Sequence, residues 1–121
     1  MPIHLWGELA LVLERPELRY IFKKKKIADL YEHEKDAHKH PAEVVDAFFS
    51  VMSIIKAAKD MRDLYSLASL HFEKLKGDRS DDRSIKLNDQ WRLTLRSEAD
   101  EQGNFLLIID IEDYHKKKHI K

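Results

Sequence analysis

The chain contains no cysteine. That excludes a disulfide scaffold, a zinc–thiolate ribbon and a thiol nucleophile. Glycine and proline are scarce, at three residues each, which argues against a disordered or low-complexity chain. Neither sign of charge is in excess: 22 Lys+Arg stand against 22 Asp+Glu. A site for a polyanion must therefore come from local clustering and not from a general positive field. No apolar run approaches the about 20 residues of a membrane span. Residues 5–13 (LWGELALVL) are apolar, but Glu8 interrupts them and no basic segment precedes them. Neither a membrane segment nor a secretory leader is expected, and the expected compartment is the cytoplasm. What remains is a chain of 121 residues with an ordinary 43% hydrophobic content, enough for one domain with its own core.

The first half reads as helical. Residues 1–17 form an N-terminal extension of uncertain structure, in which Leu5, Leu9, Val12 and Leu13 fit one face of a short helix ending at Pro16. Residues 18–22 (LRYIF) alternate weakly, as a strand does. Ile27, Leu30 and Tyr31 then fall at i, i+3 and i+4, the spacing of a short amphipathic helix. After the polar break at residues 35–40, Pro41 suits a first helical turn and Glu43 suits its positive end. The stripe Val44, Val45, Phe48, Val51, Met52 and Ile55 predicts a helix running to about Lys59. Residues 60–65 either extend that helix or turn.

After Gly77 the period changes to two. Ile85 and Leu87 share one strand face; Trp91, Leu93 and Leu95 share another, with Arg92, Thr94 and Arg96 on its reverse. A two-residue loop at Asn88–Asp89 would oppose Lys86 to Trp91, setting charge against the apolar face. A three-residue loop pairs Leu87 with Trp91, Lys86 with Arg92 and Ile85 with Leu93, and keeps one face apolar, so this register is the expected one. Residues 97–104 read as a polar connection. Residues 105–111 (FLLIIDI) read as a central strand covered on both faces. Helices followed by an antiparallel sheet make a small α+β domain.

Chemistry has four candidate locations. The expected register sends Lys86, Arg92 and Arg96 from one face of a hairpin, about 6.5–7 Å apart along a strand. That face suits a phosphate and its neighbour, since a guanidinium meets two phosphate oxygens at once; the alternative, which the pattern alone favours, is a solvated sheet face with alternating charges. Asp113, Tyr114 and His115 follow the buried strand, and an imidazole titrating near neutrality serves as general acid or base; the alternative is a polar strand exit with a basic tail. Residues 74–79 (KLKGDR) combine a glycine turn with cations but lack the spacing of a phosphate-binding P-loop. His33, His38 and His40 lie among Glu32, Glu34 and Asp36, without any recognised metal-ligand spacing; a solvated loop and a metal site are the two readings.

Three strings taken together are specific. FEKLKGDR (72–79), SIKLNDQWRLTLR (84–96) and IDIEDYH (109–115) resemble the HigB branch of the RelE-like toxins. That family has an L-K-G-D-R turn, an S-I-x-[IL]-N-x-x-W-R hairpin and a terminal [ED]-D-Y-H, in this order. The resemblance covers roughly residues 18–119. It implies a RelE-like fold in residues 18–121: two N-terminal helices on a curved, mainly antiparallel sheet of about four strands. It implies a ribosome-dependent, metal-independent mRNA endonuclease without a cofactor. It further implies a monomeric free toxin and a cognate HigA-like antitoxin carrying a helix-turn-helix domain.

Carried over residue by residue, the resemblance makes Lys76, Arg92, Asp113, Tyr114 and His115 the catalytic set. Cleavage by the RNA's own 2′-hydroxyl needs a base, charge stabilisation of the phosphorane and an acid for the leaving 5′-oxygen. His115 fits acid or base, with Asp113 as its partner or as the second titrating group. Arg92 and Lys76 fit the phosphorane, and Tyr114 fits nucleotide stacking. Lys74, Arg79, Lys86, Arg96, Lys116 and Lys117 are the expected RNA or ribosome contacts. The sequence also departs from the family. His71 lies two residues further from Gly77 than the histidine of H-P-L-K-G members, so the chain follows the F-E-x-L-K-G type. Asp81 and Asp82 add acid near the expected RNA path. The alternative reading is therefore a RelE-fold protein that binds RNA, ribosome or antitoxin without cleaving.

Overall fold

The helical stripe and the later period of two settle on opposite sides of one apolar layer. The computed structural model describes residues 18–114. A first strand, β1 (Arg19–Phe22), leads into α1 (Lys25–His33) and then α2 (Ala42–Ala57). A short α3 (Met61–Tyr65) precedes β2 (Glu73–Lys74), β3 (Asp82–Lys86), β4 (Trp91–Asp100) and β5 (Gly103–Asp113). Among the described residues the strands form one sheet in the order β1-β5-β4-β3-β2. β1 runs parallel to β5, and the other neighbours are antiparallel.

The helices bury the stripes their sequences predict. Val44, Val45, Phe48, Val51, Met52 and Ile55 are all buried on α2, and Ile27 and Leu30 on α1. They meet Ile85, Leu93, Leu95, Leu106, Ile108 and Ile111 from the sheet in a single cluster. Burying each such side chain contributes about 1.5–3 kcal/mol. Tyr20, Phe22, Tyr31, Phe48 and Phe49 close one end of this core through edge-on and stacked ring contacts. α2 stops at Ala57, and Asp60 caps a separate α3 by accepting from the Arg62 amide at 2.9 Å. Residues 60–65 thus begin a new helix.

The β3–β4 register is the expected one: Lys86 opposes Arg92 and Ile85 opposes Leu93. The Asn88 side chain closes the loop by accepting from the Gln90 and Trp91 amides at 2.8 Å each.

Three expectations need correction. Residues 97–104 are not a loop. β4 continues to Asp100 and β5 starts at Gly103, with Asp100 opposite Gly103 across a two-residue turn. Polar residues extend the hairpin beyond the core because ladder hydrogen bonds do not require burial. Gly103 takes φ +114 there, a conformation costly for any side-chain-bearing residue. The sheet has five strands and not about four, because the short edge strand β2 pairs with β3. The middle strand is β4, and β5 lies between it and β1.

A bulge in β5 has consequences for the site. Thr94 opposes Asp110 while Leu95 opposes Ile108, so Ile109 is the extra residue. The shift keeps Ile111 in the core and turns Asp110 and Glu112 to the outer, polar face. The helix read in residues 5–16 lies outside the described residues.

Candidate active site on the outer sheet face

Alternation sends Arg92 away from the core, yet it is only 7% exposed. Its Nε donates to Ser84 Oγ at 2.7 Å, and one terminal nitrogen donates to the His71 carbonyl at 2.6 Å. That carbonyl is aimed by a left-handed turn at His71, φ 48. The same guanidinium nitrogen stands 3.2 Å from Glu73 Oε1, and the guanidinium carbon lies 5.3 Å from the centre of the Tyr114 ring. Burial lowers the Arg92 pKa, and Glu73 and Tyr114 oppose it; a guanidinium does not lose its proton in a protein, so the group stays cationic. The sheet explains the assembly. Glu73 opposes Ser84 and Ser84 opposes Thr94, so three neighbouring strands converge on one guanidinium.

The strand end separates two residues that the sequence groups together. Asp113 opposes Trp91, on the helix-facing parity, and its Oδ2 accepts from Gln90 Nε2 at 2.9 Å. Trp91 in turn meets the His40 ring edge-on at 5.2 Å. The Tyr114 amide donates to the Gln90 carbonyl at 2.6 Å, and the Tyr114 ring sits by Arg92. His115, Lys116 and Lys117 lie outside the described residues.

The remaining cations divide into two groups. Lys74 and Lys76 are exposed around the turn that joins β2 to β3. Lys86 reaches Asp89 at 3.1 Å. Arg79 and Arg96, in contrast, are held by carboxylates. Arg79 makes two parallel bonds of 2.9 Å to Glu112 and a third of 3.0 Å from Nε to Asp82. Arg96 Nε donates to the other Asp82 oxygen at 2.6 Å. Glu112, followed by Asp82, raises the Arg79 pKa above its usual range. Burial acts to raise the Asp82 carboxyl, but bonds from Arg96 and Arg79 outweigh it and hold the pKa below the ordinary value. Asp82, which as sequence reads as acid in the RNA path, is buried beneath these two arginines.

The family model described as a RelE-like toxin of the type II toxin–antitoxin system HigB matches residues 20–115. The chain belongs to this HigB-like toxin family. Among solved structures it is similar to a YoeB/ParE toxin from Agrobacterium tumefaciens, at 17% identity, 79% coverage of this chain, 98% of that chain and TM-score 0.48. It is also similar to YafQ from E. coli strain BL21(DE3), at 12% identity, with 84% of this chain and 97% of that chain covered and TM-score 0.48. No curated protein sequence matches. The protein is thus a toxin of the RelE-like type II class, a class that implies an antitoxin partner.

In this HigB-like toxin, sequence reasoning passed over Glu73 and Ser84, the side chains that touch Arg92. The signal for Glu73 was its place in the F-E-x-L-K-G string. Ser84 could be read from the register, which puts it on the polar face two residues from Lys86. His33, His38 and His40 do not gather with acids: among the described residues no group of three or more His, Cys, Asp or Glu could hold a metal ion. His40 instead packs on Trp91, and its buried Nδ1 has no hydrogen-bond partner among the described residues.

Proposed function

We propose that this toxin is a ribosome-dependent mRNA endonuclease that cleaves by attack of the 2′-hydroxyl on the adjacent phosphate. The observation that carries the reading is the fixed Arg92 guanidinium, oriented by Ser84 and the His71 carbonyl beside the Tyr114 ring. A cation held rigid before the substrate arrives stabilises the charge that develops on the phosphorane without reorganising. Lys76, on the exposed turn, supplies a second cation. Tyr114 stacks on or orients a nucleotide. His115, directly after Tyr114, serves as general acid or base. Two carboxylates flank this machinery. Glu73 reaches Arg92 itself, and so stands nearer the phosphate position than Asp113, which steadies the strand end through Gln90. The cognate antitoxin, in this reading, carries a helix-turn-helix domain.

Purified wild type and His115→Ala, each added to ribosomes programmed with a defined mRNA, test the assignment. The variant is expected to lose about 10²–10⁴ in rate; an unchanged rate would remove His115 from the chemistry. A second reading, binding without cleavage, is favoured by one observation: Glu73 already occupies the Arg92 guanidinium, and Arg79 and Arg96 are neutralised. Under that reading the wild type leaves the mRNA intact.

A further inference from the structure

We infer that Arg79 is a positioning residue, not an RNA contact: it ties the turn carrying Lys76 to the strand end carrying Tyr114, through Glu112. The inference rests on the endonuclease reading above. The segment between β2 and β3 is mostly exposed, and its backbone bonds are local, from the Leu75 amide to the Asp82 carbonyl and from the Ser80 amide to the Gly77 carbonyl. Arg83 also clamps it locally, donating to the Ser80 carbonyl at 3.0 Å. Arg79 reaches further, across the sheet to β5, where its planar fork matches both oxygens of Glu112 at 2.9 Å.

A two-pronged bond of this kind fixes orientation as well as distance. Its base is equally fixed. Asp82, 3% exposed at its side chain, holds the Arg79 Nε from beneath and is itself braced by Arg96. Glu112 continues the chain of contacts: its Oε2 accepts from Thr94 Oγ1 at 2.6 Å, and Thr94 lies two residues from Arg92 on β4. The turn, the end of β5 and the Arg92 strand therefore share one set of bonds. All three Arg79 donors engaged in it face carboxylates of the protein, which leaves the turn lysines, and not Arg79, to meet phosphate.

The two roles predict opposite results for Glu112→Gln. If Arg79 were an RNA contact, weakening its carboxylate partner would free it, and KM would fall. As a positioning residue, Arg79 loses its anchor, and kcat falls about 10–100-fold with KM within about twofold of wild type. Arg79→Lys keeps the charge but loses the fork and is expected to match it. The double variant is expected to lose clearly less than the product of the two single losses, because both break the Arg79–Glu112 contact. In Arg79→Gln, which removes the charge, a raised KM together with a salt slope reduced by about one would assign Arg79 to phosphate and overturn the inference. So would an unchanged kcat in both Glu112→Gln and Arg79→Lys.

Amide hydrogen exchange of residues 75–81 supplies an arm independent of catalysis. Faster exchange there in Glu112→Gln, at a melting temperature that leaves the protein folded, is expected; exchange equal to wild type would overturn the tie. If wild type cleaves nothing, the endonuclease reading fails, and this arm alone decides the coupling.

Discussion

Arg92 and the Arg79–Arg96 pair share one polar sheet face, yet they are held in different ways. Arg79 and Arg96 meet the carboxylates of Asp82 and Glu112, so their charge is balanced inside the protein. Arg92 is oriented by two neutral groups, a hydroxyl and a carbonyl, with one half-free carboxylate, Glu73, 59% exposed at its side chain, at the rim. Neutral partners fix a guanidinium without cancelling it. Carboxylate partners cancel it and turn it into a strut. What an arginine does on such a face follows from what holds it, more than from its presence in a motif.

The sharpest way to break this contrast is Arg92→Lys. An ammonium keeps the charge but cannot serve Ser84 and the His71 carbonyl with the same fork. Loss of about 10²–10³ in kcat is expected, with fold and antitoxin binding retained. A kcat within threefold of wild type would mean that Arg92 acts only through its charge.

Asp82→Asn attacks the other cluster. It leaves two guanidinium groups short of their anion, and a loss of about 2 kcal/mol in unfolding free energy is expected, since both arginines keep partial solvent contact. The pH dependence has a definite sign. The folded-state pKa of Asp82 lies below its unfolded value, so its contribution is complete above the ordinary carboxylate range, about pH 4. It is lost as pH falls through the lower folded value. Melting curves between neutrality and pH 3 are expected to converge for wild type and variant toward the acid end. Parallel curves would show that Asp82 carries no linked proton.

Ser84→Ala is the smallest change. Removing the hydroxyl strands the Arg92 Nε at a buried position, at a cost of about 1–3 kcal/mol. A lowered kcat with unchanged KM is expected, because substrate still meets the cation but meets it misoriented.

Much of this fold is legible in the residues. The α2 stripe and the β3–β4 register follow from apolar spacing alone, because one buried face penalises every slip by one residue. The polar face is not legible in the same way. Alternation gives its membership, but no local pattern says that Ile109 bulges and turns Glu112 toward Arg79. Nor does it say that the two-residue strand β2 brings Glu73 beside Arg92. Both depend on pairing between segments remote in sequence. The hairpin at residues 97–104 is hidden for a related reason: polar composition marks exposure, and an exposed hairpin is still a hairpin. Nor does the string D-Y-H show that Asp113 ends β5 opposite Trp91 while Tyr114, just past the strand, lies by Arg92.

The most direct test of the central claim is to induce wild type and Arg92→Gln briefly in a bacterial host and map mRNA 5′ ends within minutes. New ends inside translated frames, in phase with codons and present for wild type only, are the predicted result. No new ends from soluble, folded wild type, or the same ends from Arg92→Gln, would contradict it.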